Sequence, residues 1–277
     1  MRQPLQRGAA IDQHRMTGWI NRFRFYRASP NQQEIEAWLD RFQVADRDLA
    51  ARLLDCVEVI SEPTIQQGYR DALTSLEGWH SNPAEREGRW FFTGFGGPSE
   101  SGMAMLRIFR EANNLNAPAH NHLFCTVSDI PSKKLTAEDT IVIVDDFSGT
   151  GKQICDRWPV LYELIASDAK PYLILTAATD TAAAKIAQET TLQVVTQFSI
   201  HKNENVFAST CRRFTQADRD AILPYCEKAD KKHPNGFGEC GLLYVLSHKT
   251  PNNSIPILHS NHKSWKGLFP RNLQQSG

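Results

Sequence analysis

The chain has 277 residues, and its 31 Lys plus Arg balance 31 Asp plus Glu, so no global field draws it to nucleic acid or to an anionic membrane. That length suits one large domain, or a core domain with a helical extension. Six cysteines (Cys56, Cys125, Cys155, Cys211, Cys226, Cys240) are scattered without a C-x-x-C pair, which fits reduced thiols better than a disulfide framework. The loose Cys226, His233, Cys240 series lacks the spacing of a structural zinc site. Met1-Arg-Gln-Pro has no apolar signal-peptide core, and no run approaches the ~20 apolar residues that span a bilayer. A soluble, cytoplasmic protein with no membrane partner is expected.

Residues 1–85 are expected to form an arm and a helical bundle. The stretch Trp19-Ile-Asn-Arg-Phe-Arg-Phe-Tyr26 reads as an arm packed on the body. The sharper alternative is a nucleic-acid-contacting arm, using Arg22, Arg24 and Arg27 with Phe23, Phe25 and Tyr26 as stacking partners. Ser29-Pro30 supplies a cap and a first-turn proline for a helix carrying Ile35, Trp38, Leu39 and Phe42. A second helix, over residues 46–60, places Leu49, Leu53, Leu54 and Val57 on one face. A third, over residues 61–76, carries Ile65, Tyr69, Leu73 and Leu76.

An α/β core is expected over residues 86–200. Arg89-Trp-Phe-Phe-Thr93 reads as its first strand, and the loop Gly94-Phe-Gly-Gly-Pro-Ser-Glu-Ser-Gly102 leads into a helix with Met103, Leu106 and Phe109 facing inward. A glycine-rich strand-to-helix turn is a ready anion site, although the same glycines can serve tight packing. A strand is expected over residues 123–128, and a short connection holding Lys133 and Lys134 follows. His120 and His122 lack a third ligand nearby and are weak evidence for a metal.

Ile141-Val-Ile-Val-Asp-Asp-Phe-Ser-Gly-Thr-Gly-Lys-Gln153 organises the rest. Four apolar residues read as a buried parallel strand, two carboxylates sit at its C-terminal end, and a small-residue turn opens a helix near Gly151. Ligands of open α/β sheets bind outside the carboxyl ends of strands, which puts Asp145 and Asp146 in the crevice. The turn Ser148-Gly149-Thr150-Gly151 lets backbone N–H groups approach an anion, with the positive end of the next helix behind it. Adjacent carboxylates would repel that anion unless something lay between. A ribose phosphate does this: its hydroxyls donate to the acids while its phosphate reaches the turn. A Walker A reading fails, since Asp146 and Gln153 stand where that motif needs Gly and Ser or Thr. After it, Pro159 interrupts a helix reaching Ile165, then Pro171-Tyr-Leu-Ile-Leu-Thr176 reads as a strand. A helix over residues 180–190 and a strand over residues 192–199 complete the alternation of a parallel, doubly wound sheet.

At residues 141–153 the chain resembles the type I phosphoribosyltransferases, whose signature is an apolar strand, two acids and a Ser/Thr/Gly-rich loop. The resemblance implies that Asp145 and Asp146 hold the ribose hydroxyls of phosphoribosyl pyrophosphate, as the catalytic pair. Phe147, Ser148, Gly149, Thr150, Gly151 and Lys152 would take its 5′-phosphate, and Gly96, Gly97, Ser99, Ser101 and Gly102 the pyrophosphate, with Mg2+ accompanying the ligand. Gly-Thr-Gly-Lys stands where most members carry a Thr-Gly-Gly-Thr-like sequence, so Lys152 leaves base specificity open.

Residues 201–277 are expected to form a hood-like segment packed on the core. Thr250-Pro-Asn-Asn-Ser-Ile-Pro256 and Trp265-Lys-Gly-Leu-Phe-Pro-Arg271 together resemble the C-terminal signature of bacterial phosphoribosyltransferase-like proteins thought to act as effectors in antiphage systems, retrons among them. That resemblance makes His248, Asn252, Asn253 and Arg271 hood candidates; the plainer alternative is a loop over the sheet edge. The expected function is an enzyme that binds phosphoribosyl pyrophosphate or a nucleotide and transfers or cleaves at ribose C1, with a defence-system partner protein and RNA or other nucleic acid as further partners. A non-catalytic sensor acting through a partner is the alternative, and no general base is assigned.

Overall fold

The computed structural model describes residues 12–96, 101–165 and 169–271. Contacts divide the chain into two compact units: residues up to Glu62 with those from Lys202 onward, and Pro63–His201. The front expected over 1–85 therefore shares a unit with the tail as far as Glu62, and its third helix belongs to the other.

In the first unit, α1 (Gln13–Phe23) buries Met16, Trp19 and Phe23, one helical face. Helix α2 (Gln32–Leu39) starts at Asn31, whose side chain accepts from Glu34 N (3.0 Å) while Glu34 Oε2 accepts from Asn31 N (2.9 Å). This reciprocal box, two residues beyond the expected Ser29 cap, satisfies two otherwise orphaned amides. Helix α3 (Arg47–Cys56) stops short of the expected end at residue 60. The Arg22 guanidinium donates to the carbonyls of Leu54 and Asp55, closing the last turn. Glu58–Ile60 becomes β1 and pairs in parallel with the tail strand Tyr244–Leu246. Front and tail residues form one core, Trp19, Phe23, Trp38 and Leu53 meeting Ile222, Cys226, Val245, Trp265 and Phe269.

The arm is packed, not free. Phe23 and Tyr26 are buried and stand edge-on to Phe269, with centroids 4.9 and 5.5 Å away, which removes them as stacking partners for bases. Arg27 Nη2 donates to the Arg271 carbonyl at 2.5 Å. Phe25 alone of the three rings is exposed, with Arg24 over its face at 4.8 Å.

The second unit begins with α4 (Glu62–Ser75), followed by β2 (Trp90–Gly94) and α5 (Ser101–Ala112). Helix α5 turns Met105, Leu106, Ile108 and Phe109 inward, while Met103 is half-buried rather than a core residue. Strands β3 (Thr140–Ser148), β4 (Lys170–Thr179) and β5 (Gln193–Ile200) join β2 in one parallel sheet of order β2-β3-β4-β5. Both faces are covered, which is why β3 is an unbroken apolar run up to its acids. On one face, Ile141, Ile143, Leu173 and Leu175 pack with Ile154, Trp158 and Leu161 of α7 (Lys152–Leu164) and Ile186 of α8 (Asp180–Glu189). On the other, Phe92 packs on Phe109 of α5, and Phe109 on Tyr69 of α4.

The strand expected over residues 123–128 is reduced to one parallel bridge, Phe92 with Phe124, held by Cys125 N donating to Phe92 O at 3.1 Å. Thr126 and Asp129 exchange hydrogen bonds that wind the next residues into a helical turn, so local side-chain bonding displaces the ladder. The chain then passes through α6 (Ile130–Lys133), whose Ile130 joins the α7/α8 side of the core, before entering β3. Thus α5 leads to the outer edge of β2 on one face and α6 returns on the other. The winding reverses between β2 and β3, the place where a doubly wound sheet opens a ligand crevice.

Candidate functional site

At that reversal β3 carries Asp145 and Asp146 near its carboxyl end, only 5% and 8% exposed, before Phe147 and Ser148 complete the strand. Asp145 Oδ1 accepts from Ser101 Oγ at 2.9 Å and from the Asp146 N–H at 2.9 Å. The first residue of α5 is therefore tied to the first acid of β3, linking the glycine loop to the acid pair. Burial, reinforced by the charge of Asp146, pushes the Asp145 carboxyl well above its ordinary value. Behind the acids, Tyr69 Oη donates to the Asp145 carbonyl at 3.3 Å and accepts from Thr176 Oγ1 at 3.1 Å. Burial raises the Tyr69 hydroxyl's pKa, so it remains a neutral donor.

The turn after the acids is clasped from the neighbouring strand. Thr179 Oγ1 donates to the Gly149 carbonyl at 2.8 Å and accepts from Ala182 N at 3.0 Å, so one hydroxyl holds the turn and caps α8. Gly151 opens α7 at φ +70, and a Cβ there would meet the Ala182 carbonyl at 3.0 Å and Ile186 Cγ1 at 3.3 Å. Conformation and space both select glycine. Ser148 is buried, Phe147 and Thr150 half-buried, and the whole turn faces the N-terminal end of α7, where the helix dipole is positive. Lys152 is exposed and lies along the helix, its ammonium 2.5 Å from Asp156.

In the loop after β2, Gly96 lies at φ +92, and Phe95 N donates to the Val144 carbonyl at 2.9 Å. A Cβ on Gly102 would fall 2.1 Å from the Phe95 carbonyl, and one on Gly94 2.5 Å from the Gly102 backbone. These two glycines let α5 cross the end of β2 at backbone contact. Gly97 and Ser99 lie outside the described residues.

The tail candidates belong to the other unit. Asn252 and Arg271 line a cavity of about 590 Å³ together with Asp230, His233, Phe237, His259, Ser260 and Asn261. Asn253 is buried and donates to the Phe237 carbonyl (2.9 Å) and Cys240 Sγ (3.4 Å), fixing that loop. His248 is half-buried in the turn where Leu246 and Lys249 pair, and does not line the cavity.

In the sequence Tyr69 stands out only in an apolar helical stripe and Thr176 only at a strand end, and Thr179 is unassigned; polar residues at the carboxyl end of a strand are the signal that points to the two threonines. The same edge carries a His–Asp pair, His201 Nδ1 lying 2.9 Å from Asp180 Oδ2. Among the described residues no group of three or more His, Cys, Asp and Glu could hold a metal ion, and no helix is long and apolar enough to cross a membrane.

A family model, PRTase-CE, matches residues 35–271, a span that includes every element described around the acid pair. No curated protein matches the chain. The match covers most of the sequence, the parallel sheet has the fold that the acid motif implied, and the chain belongs to the PRTase-CE family of phosphoribosyltransferase-like proteins.

Proposed function

We propose that this protein binds phosphoribosyl pyrophosphate or a nucleotide at the carboxyl end of β3 and transfers or cleaves at ribose C1, as a cytoplasmic effector of bacterial antiphage defence such as a retron system. The observation that carries the reading is the buried Asp145–Asp146 pair between β2 and β3, where the chain returns from its bridge at Phe124 on the outer edge of β2. Two like charges out of water need donors, and the vicinal hydroxyls of a ribose supply them. The Ser148–Gly151 turn supports the 5′-phosphate, and the loop ending at Ser101 the pyrophosphate.

In transfer, the C1–O bond to pyrophosphate breaks with both electrons leaving on the pyrophosphate, while a lone pair of the acceptor forms the new bond to C1. The residues position the ribose and stabilise the departing charge. Magnesium, when bound with the ligand, would offset charge on the pyrophosphate. It would be held through the ligand's own oxygens and water, beside Asp145 and Asp146. The acceptor's proton passes to water or to the departing pyrophosphate. Nucleotides and RNA ends are the acceptor classes this reading favours.

One observation favours a second reading. Ser101 Oγ donates to Asp145 Oδ1, so a ribose hydroxyl taking that oxygen would release the start of α5, as in a sensor that signals to a partner protein. Release of pyrophosphate from phosphoribosyl pyrophosphate separates the two. Turnover that stops in Asp145→Asn/Asp146→Asn supports the enzyme; saturable binding without release supports the sensor; turnover retained in the double variant overturns the site.

A further inference from the structure

The cavity in the unit that joins front and tail is built from side chains the acid pair does not use. Its rim carries Phe237, 37% exposed and one of few large apolar side chains facing solvent among the described residues. That exposure is held in place. Gly236 turns the backbone at φ +77, Phe237 N donates to the Asn252 carbonyl at 2.7 Å, and Asn253 Nδ2 donates to the Phe237 carbonyl at 2.9 Å. A Cβ on Gly236 would fall 2.3 Å from the Asn253 carbonyl, so the two loops are locked backbone to backbone. The His233 ring lies beside Phe237, with centroids 5.5 Å apart.

The polar lining divides into acceptors and donors. His259 Nε2 lies 3.1 Å from the Ser254 carbonyl, which can only accept, so Nε2 carries the proton and Nδ1 is an acceptor. Burial and the neighbouring Arg271 charge push the His259 pKa down to about 4, keeping the ring neutral. Asp230 Oδ1 accepts from the backbone of Lys232 (2.9 Å) and His233 (3.2 Å), and Oδ2 lies 3.6 Å from His233 Nδ1. Arg271, Asn252, Asn261 and Ser260, all donor-bearing side chains, line the same space. An inorganic anion would use Arg271 and leave the aromatic rim and His259 Nδ1 without work. An apolar ligand would leave every polar group unpaired.

We infer that this cavity is a second ligand site, built without the acid pair, which takes a nucleoside monophosphate with its base against Phe237 and its phosphate toward Arg271. A base offers a flat face and N–H donors for His259 and Asp230, and the phosphate offers the negative charge. The cavity volume lies within the range of small-molecule sites. A free mononucleotide and the terminal nucleotide of an RNA strand share this chemistry.

The test uses the full-length Asp145→Asn/Asp146→Asn protein, so that nothing measured comes from the core site. Calorimetric titration with AMP, GMP, CMP and UMP, with inorganic phosphate, and with a short single-stranded oligoribonucleotide covers both sources. Saturable binding of a nucleotide, weakened about tenfold or more by Phe237→Ala and also by Arg271→Gln, is the expected result, with phosphate alone far weaker. Tighter binding of the oligonucleotide assigns the site to strand ends. Phe237 is exposed, so its variant keeps the fold, which a urea midpoint verifies. Absence of binding by mononucleotides and oligonucleotide alike, or affinity unchanged in both variants, overturns the inference and leaves the core reading untouched.

Discussion

Replacing Gly102 by alanine sets two opposed effects against each other at the start of α5. Alanine favours a helix by about 1 kcal/mol over glycine. Its Cβ, however, would stand 2.1 Å from the Phe95 carbonyl oxygen and 2.4 Å from the Phe95 nitrogen. These are backbone atoms, which cannot swing aside. Reaching an ordinary contact of about 3.5 Å requires α5 to back off by about 1.4 Å. The helix is anchored by Met105, Leu106, Ile108 and Phe109 in the core, so that retreat strains a packed interface. Overpacking of this kind costs about 1–3 kcal/mol, and a backbone clash belongs at the upper end. The net loss is about 2 kcal/mol once helix preference is credited. A shift of that size also breaks the 2.9 Å contact of Ser101 with Asp145. Urea unfolding should show a lower midpoint with unchanged slope. Equal or greater stability of Gly102→Ala would refute the argument, since it would mean that helix preference outweighs the strand–helix contact.

Other perturbations have signs fixed by the same structure. Tyr69→Phe leaves the buried Thr176 hydroxyl and Asp145 carbonyl without their shared partner and should cost about 1–3 kcal/mol; a cycle with Thr176→Val should show coupling, and additive losses would contradict the pairing. Asp145 has its pKa raised in the fold, so the folded state holds that proton more tightly than the unfolded chain, and stability falls as pH rises through the raised value. Asp145→Asn removes this decline and should be the more stable protein at pH 7 by urea unfolding; a less stable variant there would contradict it. Asp139 behaves oppositely. Burial pushes its carboxyl up, but Arg89 and hydrogen bonds from Thr136 outweigh this and hold it at about 2. Its contribution is complete above the ordinary carboxyl value of about 4 and is lost as pH falls toward 2. Asp139→Asn should be destabilised at neutral pH and show a shallower acid limb; an unchanged acid limb would dissociate Asp139 from it.

The central strand, its acids and the following turn were legible because a two-sided buried parallel strand has no polar alternation to blur it, and because acids and glycines punctuate its end. The helix expected to reach residue 60 ends at Cys56, since nothing local reveals that Glu58–Ile60 has a partner strand at Tyr244–Leu246. The strand expected over 123–128 looked apolar enough, yet Thr126 and Asp129 made a turn of it. Phe23 and Tyr26 could be read as ligand-facing or core from composition alone; only the position of Phe269 decides. Asn252 and Arg271 were singled out in the sequence, but Asp230, His233 and His259 join them through tertiary folding, which spacing does not encode.

The most direct test of the central claim is calorimetric titration of the wild-type protein with phosphoribosyl pyrophosphate and magnesium, beside Asp145→Asn/Asp146→Asn shown to be folded by its urea midpoint. The acid pair as ribose clamp predicts saturable binding by wild type and none by the double variant. Equal binding by both would contradict the assignment of Asp145 and Asp146, and binding by neither would contradict a phosphoribosyl pyrophosphate site in this protein.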